Sequence, residues 1–189
     1  MLRKTTKWLI DRFKVDFFLG TRDRTVLEHK ILPWLSAQPA LRRVLFIGCE
    51  WYTYGYRKWF SAGTYWTLDF NPEKKLFGSA ELHIVDSMTN LAKHFKPGSL
   101  DLVICNGVFG WGLNAPVEIE TAFSAVHQAL RPGGLFLLGW NDVPKRRPVP
   151  LESIAALRKF SPAIIEPFGV SQFPVQGSKR HVYNLYARS

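Results

Sequence analysis

From residue 43 onward, short apolar runs alternate with stretches in which apolar side chains recur every three or four positions. That alternation is what βα units of a parallel sheet produce, because a strand buried on both faces reads as a continuous apolar run and a covering helix as a single stripe. The runs predict strands near Val44 to Gly48, Tyr65 to Asp69, Leu82 to Val85, Leu100 to Asn106, Leu135 to Trp140, Ala163 to Phe168 and Val182 to Ala187. Ile119, Phe123, Val126 and Leu130 share one helical face, and Arg131-Pro132-Gly133-Gly134 ends that helix, since proline cannot continue the ladder and glycine accepts a left-handed turn. Thr53 to Phe60 and Leu151 to Phe160 predict further amphipathic helices. The connection from Gln172 to Arg180 contains Pro174 and Gly177 and no helical pattern. It predicts a hairpin-like loop, which makes the final pair of strands antiparallel.

A chain of 189 residues, 47% of them hydrophobic, carries one substantial core. The expected organisation is an N-terminal helical cap over residues 1–40 and one compact α/β unit over 41–189. In the cap, Lys4, Lys7, Arg12 and Lys14 alternate with Trp8, Leu9, Phe13 and Phe17, but Asp11 and Asp16 interrupt any apolar run. Neither a signal peptide nor a membrane span is expected there. A helix packed on the sheet or over a ligand cleft is favoured, with peripheral membrane contact left open.

A net charge of +10 favours anionic partners, whether phosphorylated or carboxylated small molecules, nucleic acid or acidic lipid headgroups, with the small molecules preferred to nucleic acid. The two cysteines, Cys49 and Cys105, lack metal-ligand spacing and form no disulfide framework. No metal site is expected, and a reducing, cytoplasmic setting is.

The blocks that carry chemistry fall at the predicted carboxyl ends of strands. They are Val44-Leu45-Phe46-Ile47-Gly48-Cys49, Leu68-Asp69-Phe70-Asn71, Ile84-Val85-Asp86-Ser87-Met88, Ser99 to Asn106, and the turn Leu130 to Gly134. In this order they resemble the class I methyltransferases that use S-adenosylmethionine, from about Leu41 to the end of the chain. The resemblance implies a Rossmann-like α/β fold, a seven-stranded, mostly parallel sheet with a reversed last strand and helices on both faces. It also implies S-adenosyl-L-methionine as cofactor. Asp69 then matches the acceptor of both ribose hydroxyls, Asp86 the acceptor of the adenine amino group, and Phe70 and Met88 the apolar faces against the base. Gly48, Cys49, Ser87 and Asn106 complete the cofactor set, with Trp51 as a wall. Asp69 and Asp86 could instead cap the short helices that follow them.

Two departures stand out: the usual motif has an acid where Phe46 stands and a glycine where Glu50 stands. Glu50 could support the cofactor's ammonium in place of the lost acid, or only favour the start of the helix behind it. Among the aromatic residues of that loop, Tyr52, Tyr56 and Trp59 share a helical face and read as packing.

The acceptor is expected above the fourth and fifth strands, at Asn106 to Gly112 and Trp140-Asn141-Asp142. The acid or histidine that relatives often carry near Gly110 and Trp111 is missing, so Asp142 becomes the candidate base and Asn106 the orienting amide. Trp111, Trp140, Asn141, Arg146 and Arg180 are the candidate acceptor contacts, and Lys145-Arg146-Arg147 and Lys179-Arg180-His181 form two basic clusters at one edge. The leading expectation is methyl transfer to a small or medium, anionic acceptor, with oxygen favoured. The alternatives are a non-catalytic binding subunit for RNA or a membrane-associated assembly, and aminopropyl transfer from the decarboxylated cofactor. The sequence leaves the oligomeric state open.

Overall fold

The structure, a computed structural model, describes residues 20–189. The basic and aromatic segment from Lys4 to Phe17 lies outside the described residues. Three helical stretches follow one another without a break, Arg22–Val26, Leu27–Ile31 and Leu32–Ser36, and are together called α1; the middle one has wider π-helical turns. Pro33 accounts for the widening, because it has no N–H and its ring would press on the carbonyl of the preceding turn.

The strands are β1 (Arg43–Ile47), β2 (Thr64–Asp69), β3 (His83–Val85), β4 (Leu100–Asn106), β5 (Leu130–Asn141), β6 (Phe160–Pro162), β7 (Gln172–Pro174) and β8 (His181–Arg188). They form one sheet in the order β3-β2-β1-β4-β5-β8-β6, with β7 also on β8. The first five pair in parallel, and β8 runs antiparallel to β5, β6 and β7. The order reverses at β1, which lies between β2 and β4; an open α/β sheet binds ligands outside the carboxyl ends of the strands at such a point.

Alternation along the strands divides the core into two layers. Leu45, Ile47, Val103, Phe136 and Leu138 face α2 (Pro116–Ala129), where Ile119, Phe123 and Val126 are fully buried as the helical spacing predicts. Val44, Phe46, Leu102, Ile104 and Leu137 face the other way, onto Leu27, Ile31, Leu32 and Leu35 of α1. The described part of the cap is therefore a covering helix, closing the sheet face that would otherwise expose these apolar side chains.

Three sequence expectations are corrected. The sheet has eight strands, not seven, because the outer edge of β8 is shared by two short strands. The strand expected from Ala163 to Phe168 is displaced to Phe160–Pro162: Pro167 lacks a donor, Gly169 turns at a φ of 68°, and Phe168 folds back to stack on Phe173. The helix expected from Leu151 to Phe160 divides into 3₁₀ stretches at Leu151–Ser153 and Ala155–Lys159. The Glu120 carboxylate on α2 accepts the N–H groups of Ala155 and Ala156, a side-chain cap that restarts the helix there. Among the described residues, no helix is long and apolar enough to cross a membrane.

His181 opens β8 opposite Asn141 and is 3% exposed. Burial lowers its pKa to about 4, with Asp23 opposing the shift and Arg24 reinforcing it. The residue is therefore a neutral part of the core and not, as its sequence neighbours Lys179 and Arg180 suggested, the third charge of a basic cluster. Because the folded pKa lies below the unfolded one, the unfolded chain binds the extra proton and stability falls on acidification below about 6.5. Urea titrations of the wild type should show an added slope of at most about 1.4 kcal/mol per pH unit between pH 4 and 6.5, absent from His181→Phe. Parallel profiles would refute the assignment.

Candidate active site

The crevice lies at the carboxyl ends of β1 and β4. Gly48 follows β1 with a φ of 94°, and a Cβ there would come within 2.6 Å of Val108 Cγ2. Only glycine keeps this path open. The Asp69 carboxylate, at the end of β2, accepts the Cys49 N–H at 2.8 Å on one oxygen and the Asn71 N–H at 2.9 Å on the other. It is not the cap of the next helix: Asn71 caps Pro72–Phe77 by accepting the Glu73 N–H. Asp69 instead fixes the turn after β1 to the end of β2, and each of its oxygens keeps a second lone pair.

Asp86 turns toward its own chain. Its carboxylate accepts from the Asn90 amide at 2.7 Å, the Ser87 N–H at 2.7 Å and faces His94 Nε2 at 2.8 Å. The Asn90 bond first, then His94 and Ser87, lower its pKa to about 2. The cap of Met88–Lys93 is Ser87, whose hydroxyl accepts the Thr89 N–H. Met88 is buried with its sulfur 4.0 Å from Cys105 Sγ, while Phe70 is 68% exposed beside Gly112. Burial pushes the Cys105 thiol up to about 12 and raises that of Cys49, so both are small core residues and not nucleophiles.

Of the two sequence readings, Glu50 follows the helix-start one, as the N-cap of a capping box with Thr53. It precedes the 3₁₀ helix Trp51–Phe60, where the Thr53 hydroxyl accepts the Glu50 N–H and donates to the Glu50 carbonyl. Its carboxylate meanwhile pairs with Lys74 Nζ. Trp51 packs edge-on to Tyr52 with ring centroids 5.1 Å apart.

At the end of β4, Asn106 is 2% exposed and neither its amide oxygen nor its amide nitrogen has a hydrogen-bond partner. Gly139 on β5 makes room for it, since a Cβ there would lie 2.1 Å from Asn106 Oδ1. A buried amide without partners among the described residues is costly, which makes Asn106 a candidate for completion by a ligand.

The acceptor edge is tied together by polar contacts. The Trp111 indole N–H donates to Asn141 Oδ1 at 3.1 Å, and the Arg146 guanidinium lies 3.4 Å from the Trp111 ring centroid and donates to the Gly110 carbonyl. Asn141 in turn donates to the Lys179 carbonyl. Asp142 accepts from Arg147 at 2.9 Å and from Arg180 at 3.3 Å, so the two basic clusters do meet, with this carboxylate between them. Trp140 is buried, edge-on to Phe109, and donates to Asn184 Oδ1; it forms an inner wall, with Phe160, Tyr186, Asp142 and Arg147, of a cleft of about 440 Å³.

Sequence reasoning missed Arg24, Glu28 and Tyr56. Arg24 and Glu28 are buried on α1, and the Tyr56 hydroxyl donates to Glu28 at 2.6 Å. Burial raises the pKa of Glu28, an effect the Tyr56 bond opposes. The available signal was periodicity: Arg24, Leu27, Ile31 and Leu35 recur every three or four positions, placing an arginine on an apolar stripe.

Residues 47–138 match the family model described as a methyltransferase domain. No curated protein matches the chain. Among solved structures, the N-methyltransferase NodS from Bradyrhizobium japonicum WM9 in complex with S-adenosylhomocysteine superposes with a TM-score of 0.68 at 14% identity, covering 98% of this chain and 97% of that one. Magnesium protoporphyrin IX methyltransferase (ChlM) from Synechocystis PCC 6803, with bound S-adenosylmethionine, gives a TM-score of 0.62 at 14% identity over 98% and 91% of the two chains. The 1,6-didemethyltoxoflavin-N1-methyltransferase from Burkholderia thailandensis gives 0.55 at 15% identity over 88% and 82%. At these identities the likeness is one of fold, and it agrees with the matched family and with the glycine turn, the anchored acid and the unpartnered amide at the switch point. Over residues 47–138 the chain is similar to the methyltransferase-domain family, and its fold is that of S-adenosylmethionine-dependent methyltransferases.

Proposed function

We propose that the chain transfers the methyl group of S-adenosylmethionine to an ionised oxygen of a small or medium acceptor. In this reading Asp69 accepts the ribose hydroxyls through its two remaining lone pairs, Gly48, Cys49 and Trp51 border the cofactor, and Phe70, Ser87 and Met88 lie toward its base. Asp86 receives the adenine amino group only by sharing oxygens already bonded to Asn90 and His94. Glu50 acts through Lys74, as half of a neutral pair at the rim of the loop. The bound cofactor supplies a methyl group already activated by its sulfonium; the protein's part is to orient, desolvate and exclude water.

One observation carries the acceptor class: Asp142 has both oxygens committed to arginines, Arg147 on one and Arg180 on the other. A carboxylate held this way serves better to position two guanidiniums than to remove a proton. An acceptor oxygen that is already an anion needs no base, and basic side chains at the rim raise its local concentration. Trp140 then walls the cleft, Asn141 and Trp111 hold each other at the neighbouring edge, and Asn106 orients whichever group reaches its amide.

The test is methyl-labelled S-adenosylmethionine offered with a panel of aromatic and aliphatic carboxylates, phosphate monoesters, phenols and amines. Label should enter carboxylates, phosphates or ionised phenols, with KM rising as salt screens the rim. Label entering only amines would overturn the oxygen assignment, and no binding of S-adenosylhomocysteine at millimolar concentration would overturn the site.

A further inference from the structure

Arg24 is 6% exposed, and its guanidinium is poorly matched for a buried cation. Among the described residues its terminal nitrogens reach only the hydroxyls of Tyr56 and Tyr52, at 3.4 and 3.5 Å, and the side chain also lies 4.6 Å from the Tyr52 ring centroid. The nearest carboxylate among the described residues is that of Asp23, 3.9 Å from Nε and outside hydrogen-bond range; Glu28 is joined to it only through the Tyr56 hydroxyl. A guanidinium presents five N–H donors in a fixed fork, and a buried one is stable when planar acceptors meet that fork. The direction of the fork is informative: one Nη lies 3.7 Å from the point where a side chain on Gly107 would begin. Gly107 directly follows Asn106, whose unpartnered amide is the second buried group that waits for a ligand at this spot.

We propose that Arg24, reaching from α1 across the end of β4, is the receptor for the carboxylate of the cofactor's amino-acid moiety, with the Asn106 amide beside it for the α-ammonium. This assignment rests on the cofactor site described above. It gives α1 a function in ligand selection besides covering the sheet, because a donor without a carboxylate leaves the buried fork unmatched. The same pairing explains how the loop after β1 does without an acid at position 46. Phe46 there packs edge-on to Tyr56, and Tyr56 braces Glu28 and Arg24 from the helix side.

The experiment is calorimetric titration of wild type, Arg24→Met and Arg24→Lys with S-adenosylhomocysteine, decarboxylated S-adenosylhomocysteine and 5′-methylthioadenosine. Wild type should bind S-adenosylhomocysteine about 30-fold more tightly than its decarboxylated form, as expected for a charge-assisted bidentate pair. Arg24→Met should remove that preference while changing affinity for 5′-methylthioadenosine less than about 3-fold, and Arg24→Lys should retain part of it. Equal wild-type affinity for the carboxylated and decarboxylated ligands overturns the proposal without any variant, so a misfolded Arg24→Met does not protect it. Binding of S-adenosylhomocysteine that Arg24→Met leaves intact also overturns it, with the cofactor reading untouched. Failure of wild type to bind any of the three removes both.

Discussion

Asp69→Asn is expected to weaken S-adenosylhomocysteine binding by about 100-fold, with a matching loss of methyl transfer at low cofactor concentration. The carboxylate does two jobs in this structure: it holds the turn after β1 through the Cys49 N–H and starts the next turn through the Asn71 N–H. Asparagine keeps one acceptor oxygen for those amides but puts an NH₂ group where the other oxygen received a donor. The diol of the cofactor then meets one acceptor in place of two, and no charge. Titration calorimetry reads the affinity, and the melting temperature without ligand separates a displaced turn from a lost contact. An affinity within about 3-fold of wild type would remove Asp69 from the site.

The second large effect is on stability. Asp101, on β4, is 4% exposed and gathers the start of β1 and the start of β5 around one carboxylate. It accepts the N–H groups of Arg42 at 3.0 Å and Arg43 at 2.8 Å, the Arg43 guanidinium at 2.8 Å and the Arg131 guanidinium at 2.9 Å. Burial alone would raise its pKa, but the bonds from Arg43, Arg131 and Arg42 outweigh burial and hold it at about 2. Asp101→Asn should cost about 2–3 kcal/mol at neutral pH, less than for a fully enclosed network because both arginine side chains are partly in solvent. Since the folded pKa is depressed, the contribution is complete above the unfolded value of about 4 and is lost as pH falls toward 2. Urea midpoints of wild type and variant should therefore converge over that range; a constant gap would mean that the carboxylate's charge contributes nothing.

How much of this was readable from the chain differs by element. β1, β2, β4, β5 and α2 were legible because their apolar runs or stripes are longer and largely buried. The outer edge was not: β6 and β7 have three residues each, too few for a period, and their positions depend on Pro167, Gly169 and the stacking of Phe168 on Phe173. The split after Leu151 depends on Glu120, a side chain from another helix that no local window contains. The same limit applies at the site. Asp69 was identifiable because the end of a strand fixes its position. Lys74 as the partner of Glu50, and the pair of arginines around Asp142, depend on which long side chains happen to meet across loops. Arg24 was hidden for the opposite reason, since one polar residue on an apolar stripe looks like noise until its end point is known.

The contact between Phe46 and Tyr56 also limits how this sequence can change. Placing an acid at position 46 by a single substitution would set a carboxylate in a layer of Leu27, Ile31, Val44 and Ile104, and against a tyrosine that already hydrogen-bonds the buried Glu28. A carboxylate buried among these side chains costs stability unless it finds a partner there. An acid at position 46 would be accommodated only if Tyr56 and Glu28 changed with it, so that one aromatic contact ties three positions together.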